Sequence, residues 1–193
     1  MFSPRPPLIA AFIALALIGC GFFVMRACTK LMEKPVVHTI NEPSDANTIW
    51  RADKPLSHAE ALAQDKCPIP PPPEATNIQY VDFYNYGFMH CVRFEAPVSV
   101  CQAYAATVMK SFNQQMEASQ NNTRVADHAQ PLNRASAASA ARFAQEQVED
   151  TARADWFAPD TIVHGEMWGR HDSHTPLVLI DTDKGVFYYL RTD

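Results

Sequence analysis

Glycine is scarce in this chain, 6 residues in 193, and that scarcity removes whole classes of chemistry. A phosphate-cradling loop or a dinucleotide fingerprint needs glycines at fixed spacing, and neither pattern occurs; the G-x-S-x-G elbow of many hydrolases is missing as well. There is no H-E-x-x-H, no C-x-x-C and no Cys/His pairing of zinc-finger type, which excludes the common zinc signatures. An excess of positive charge is also lacking. With a net charge of -5 and a pI near 5.8 the chain has no electrostatic case for nucleic acid, and neither a nucleic-acid partner nor a cofactor is expected. No internal repeat is visible. What remains, 47% hydrophobic and 19% charged residues, suits one folded domain of roughly 120 residues behind an apolar leader.

That leader is the first positive feature. From Leu8 to Met25 no charge occurs, between Arg5 on one side and Arg26 and Lys30 on the other. As a helix the run reaches roughly 27 Å, enough for a hydrocarbon core. Leu17-Ile18-Gly19-Cys20 fits a second reading, a lipobox in which Cys20 is cleaved and acylated. The residues after Cys20 discriminate: Phe22, Phe23, Val24 and Met25 prefer hydrocarbon and favour an uncleaved signal anchor. The organisation expected is therefore an anchor or lipoprotein signal over 1–30, a proline-containing stalk over 31–56, and one domain over 57–193 with an alanine-rich variable segment near 117–153.

Within the domain, Ser57 and Glu60 form a capping box ahead of a short helix near His58 to Asp65, and Pro68 to Pro73 must be extended. Ile78 to Tyr84 and Phe88 to Glu95 alternate aromatic and β-branched residues around Asn85-Tyr86-Gly87, which predicts an antiparallel hairpin. Phe88, His90, Val92 and Phe94 then share the core face, with His90 a core-edge residue whose nitrogen is satisfied. Val100, Tyr104, Val108, Phe112 and Met116, with Cys101 and Ala105 beside them, mark the apolar stripe of a five-turn helix from Ser99. The alanine-rich run from Arg134 predicts a marginal, exposed helix. A one-turn helix after Pro159 is closed by Gly165. Leu177 to Asp181 and Val186 to Arg191 form a second hairpin through an Asp- and Gly-containing turn. The fold class expected is α+β: a small antiparallel sheet of two hairpins packed against one long helix, preceded by an N-terminal transmembrane helix.

Three sets of side chains stand out as candidates. His164, Glu166, His171, Asp172 and His174 bring imidazole and carboxylate together and are the candidate metal ligands. Cys67 with Cys101 is the candidate disulfide outside the cytoplasm, against the alternative that these thiols are small buried hydrophobes. Phe187, Tyr188 and Tyr189 are consecutive, so a half-buried strand would turn at least one of them outward as a contact surface.

The segments "ATNIQYVDFYNYG", "CVRFEAPVSVC" and above all "SHTPLVLIDTDKGVFYYLRTD" resemble a group of small bacterial cell-envelope proteins, lipoprotein-like or single-span, with a similar C-terminal pattern. The resemblance spans about Pro68 to Asp193. It implies an envelope placement and brings no activity with it. The expected role is a membrane-anchored, extracytoplasmic binding or interaction module, held to the bilayer through residues 8–25; the rival is a metal-binding protein or metal-dependent enzyme using the 164–174 loop.

Overall fold

The structure, a computed structural model, describes residues 48–84, 87–119, 123–147, 152–170 and 174–193. All of them belong to one compact unit, residues 40–193. Seven strands, β1 (Thr48–Leu56), β2 (Thr76–Tyr84), β3 (Phe88–Glu95), β4 (Gln130–Pro131), β5 (Gly165–Gly169), β6 (Leu177–Asp181) and β7 (Val186–Thr192), form a single antiparallel sheet. Their order is β1-β2-β3-β7-β6-β5-β4. Among the described residues three α-helices accompany it: α1 (His58–Gln64), α2 (Val98–Ala118) and α3 (Arg134–Arg142).

This corrects the expected fold. The two hairpins are joined through β3 and β7 into a larger sheet, extended by β1 at one end and by β5 and β4 at the other. Strand is the dominant structure, and no helix among the described residues is long and apolar enough to cross a membrane. Leu8 to Met25 and Cys20 lie outside the described residues. Residues Thr48–Leu56, read as the end of a stalk, form β1 instead. Their alternation is hidden by charge and by Pro55, yet Trp50 and Ala52 join one core and Ile49 the other. The register of β1 on β2 breaks between Ala52 and Leu56, around Lys54 and Pro55.

Period-two alternation sends side chains to two cores. Under α2 lie Tyr80, Val92, Phe94, Val178, Ile180, Phe187 and Tyr189; on the opposite face lie Val81, Met89, Cys91, Leu177, Leu179, Tyr188 and Leu190. Helix α2 seats itself through Cys101, Ala105, Met109 and Phe112, the Cys101 and Ala105 side of the predicted stripe, with Met109 added to it. The small side chains at 101 and 105 let the helix approach the sheet, and Tyr104 and Val108 flank the contact. The alanine-rich segment is not the exposed helix expected of it. Ala137, Ala140 and Ala144 are buried on the second face, where side chains without bulk allow close packing over Phe157 and Tyr188. A five-residue π-helical stretch, Phe143–Gln147, continues α3.

Local signals hold where their chemistry is local. Ser57 Oγ accepts from the Glu60 N–H at 3.3 Å while the Glu60 carboxylate accepts from Ser57 N–H at 2.7 Å, the reciprocal cap that starts α1. At the β6–β7 turn Asp181 Oδ1 accepts from the N–H groups of Asp183 and Lys184, both at 3.0 Å. Gly185 follows at φ 67°, and a Cβ there would sit 2.3 Å from the carbonyl oxygen of Ala96. Both the left-handed backbone and the backbone neighbour forbid a side chain. Gly185→Ala is expected to cost about 1–3 kcal/mol, read as a lowered urea midpoint at unchanged slope; a variant as stable as the parent would remove this account of the turn. Gly165 opens β5 rather than closing a helix, because a Cβ there would meet Ile180 O at 2.4 Å across the strand pair.

Candidate functional site

The three candidate metal ligands among the described residues, His164, Glu166 and His174, do not converge. His164 pairs with Asp183 of the β6–β7 turn, Nδ1 to Oδ2 at 2.8 Å. Glu166 points to the α2 side and accepts from Gln102 Nε2 at 2.9 and 3.1 Å. His174 pairs with Asp193 at 2.6 Å. Strand β5 separates the two histidines, roughly 17 Å of extended chain. His171 and Asp172 lie outside the described residues, and among the described residues no three ligand-type side chains form a metal-sized group.

The thiols are also apart from chemistry. Cys67, Cys91 and Cys101 are free. Burial pushes Cys67 up to about 12 and Cys101 up to about 11 and raises Cys91 as well, so none is a thiolate near neutral pH. Phe187, Tyr188 and Tyr189 offer no outward surface: they are 0%, 7% and 4% exposed, because α2 covers one face of β7 and the α3 layer the other.

A different set draws the eye. Three buried side-chain polar atoms among the described residues have no hydrogen-bond partner: Asp82 Oδ1, His90 Nε2 and Trp168 Nε1. The first two face each other at 3.4 Å. They belong to a row that runs straight across four strands on the α2 side, in which Trp50 of β1 opposes Asp82 of β2, Asp82 opposes His90 of β3, and His90 opposes Arg191 of β7. The Tyr84 hydroxyl donates to the Asp82 carboxylate. The His90 ring is flanked by Tyr84 at 5.6 Å and Phe88 at 4.7 Å.

The separation suits an ion pair, but the burial does not. Placing two full charges in this core would cost several kcal/mol that a single long contact does not return. Burial lifts Asp82 to about 7, with the Tyr84 hydrogen bond and Lys66 opposing the rise. Burial, then Arg191, lowers His90 to about 3. The pair therefore carries one proton in acid and loses it near neutrality, and His90 stays uncharged.

Around this pair stands a half-exposed rim of aromatics and cations. Lys66 Nζ lies 4.8 Å from the centroid of the Trp50 ring. The Arg191 guanidinium lies 5.2 Å from both the Phe88 and the Phe112 ring centroids, and its Nε donates to the His174 carbonyl at 3.2 Å. Among the described residues neither cation is in a salt bridge, in contrast to Arg51, Arg93 and Arg124. Sequence reasoning placed His90 on the right face but expected its nitrogen satisfied. The missed signal was the hairpin register: with Tyr84 opposite Phe88, Asp82 must oppose His90.

Compared with known protein families, with curated proteins and with solved structures, the chain finds no match in any of the three.

Proposed function

We propose that the chain is a membrane-anchored, extracytoplasmic binding module of the bacterial envelope, and that it takes an acidic saccharide at the rim formed by Trp50, Lys66, Phe88 and Arg191. The observation that carries this reading is the pair of cations set over aromatic rings, neither of them in a salt bridge among the described residues. Stacked rings accept the apolar faces of sugar rings, and a cation beside them accepts a carboxylate; the cation–π contacts hold such cations in place. The anchor rests on the uncharged run Leu8 to Met25, and the envelope placement on that run together with the C-terminal resemblance.

The test is calorimetric titration of the full chain in detergent micelles with a galacturonate hexasaccharide and with its neutral galactose counterpart. The acidic sugar should bind and the neutral one should not, and Lys66→Gln and Arg191→Gln should each weaken binding about fivefold or more. Equal binding by parent and both variants would sink the assignment of the rim.

A further inference from the structure

We infer that the buried Asp82–His90 pair couples anion binding at this rim to the uptake of one proton, so that an acidic ligand is held more tightly below neutrality than above it. The inference rests on the proposed binding role and assigns its regulation.

The geometry is the starting point. Asp82 Oδ1 and His90 Nε2 face each other with no other partner, and their side chains are 11% and 3% exposed. In the cross-strand row they sit between Trp50, which carries Lys66 on its ring, and Arg191. While the pair holds a proton, both cations of the rim face a neutral floor and their field is available to a ligand. When that proton leaves for solvent, a carboxylate appears beneath the rim, offsets Lys66 and repels a second negative charge. By linkage, a bound anion must favour the protonated floor to the same degree.

Other groups facing the pair do not blur this. Lys66 and Cys67 approach from the segment after α1, Tyr80 and Tyr84 from β2, and Tyr189 and Arg191 from β7; α2 presents Phe112 to Arg191. Burial raises the thiol and the phenols, so they stay neutral across the range in which Asp82 titrates. His90 is held uncharged there by burial and by Arg191. Two ligand-type groups beside a cation do not make a metal site, which needs a third or fourth donor.

The experiment uses the full chain in micelles and the same galacturonate hexasaccharide, titrated from pH 5.5 to 8.5. The parent should bind with near-constant affinity in acid and lose up to about tenfold per pH unit above pH 7, the limit for one linked proton. Asp82→Asn, a floor that cannot ionise, should keep the acid-side affinity at every pH. The 13C carboxyl resonance of Asp82 should titrate near neutrality in the free protein and shift its midpoint upward with saturating hexasaccharide. Binding that is independent of pH, or equally dependent in Asp82→Asn, would overturn the coupling and leave the binding role standing. No binding at any pH by parent or variant would overturn the binding role, and the coupling with it.

Discussion

Phe187→Ala is expected to destabilise the fold by about 3–5 kcal/mol, a large share of the 5–15 kcal/mol typical of a domain. Phe187 is fully buried on the central strand of seven. Its ring stacks on Phe94 at 4.4 Å with the planes 13° apart, and Tyr104 of α2 meets it edge-on at 5.5 Å. Truncation removes the transfer free energy of an aromatic ring, roughly 2–3 kcal/mol. It also leaves a cavity that cannot close, because β3 and β6 fix β7 on both sides and α2 lies across it. Phe187→Leu fills most of that space and should cost less than half as much. Urea denaturation of the three proteins checks the order; an Ala variant within 1 kcal/mol of the parent would mean that this face of β7 is not core, and would restore the outward contact surface that the three consecutive aromatics suggest.

The second large effect is a pair of opposite pH slopes. In the unfolded chain Asp82 and His90 titrate near 3.8 and 6.5; in the folded chain near 7 and 3. Between about pH 4 and 6.5 the unfolded pair holds one proton on the imidazole, and the folded pair holds one on the carboxyl. Proton counts match, so the pair adds almost no pH dependence to stability in that window. Removing either member exposes the other. In Asp82→Asn the folded chain keeps a neutral histidine whose pKa is depressed, so its contribution is fully present above 6.5 and is lost as the pH falls toward 3. In His90→Gln the carboxyl keeps a raised pKa; its contribution is fully present below 3.8 and is lost as the pH rises toward 7. Each slope, taken relative to the parent, integrates to roughly 4 kcal/mol at 1.36 kcal/mol per unit. Stability measured by urea titration from pH 4 to 7 should rise with pH in the first variant and fall in the second. Slopes of the same sign would refute the one-proton description of the pair.

The reasons for what was legible differ by element. The β2–β3 hairpin shows itself because its alternation is strong and its turn residues tolerate unusual backbone angles; the β6–β7 turn does so because Asp181 and Gly185 act within five residues of one another. Strand β1 escaped because an edge strand with Lys54 and Pro55 in it has little sequence period, and only its pairing with β2 makes it a strand. The alanine helix was misread because propensity reports what a helix does in water, while the burial of Ala140 and Ala144 depends on a sheet face contributed by distant segments. The Asp82–His90 pair follows from register alone. The lack of a further partner at Asp82 Oδ1 and His90 Nε2 does not, since that depends on which of their neighbours are aromatic rings.

The ends of the sheet bear on how molecules of this chain meet one another. A terminal strand normally invites a neighbour's backbone to add to it. Here β1 breaks its register beside Lys54 and Pro55, and β4, at the other extreme, is a two-residue strand that finishes in Pro131, which has no N–H to offer. Rims that refuse backbone pairing would keep crowded copies of the chain from zipping into ribbons, and so leave each one free to bind on its own.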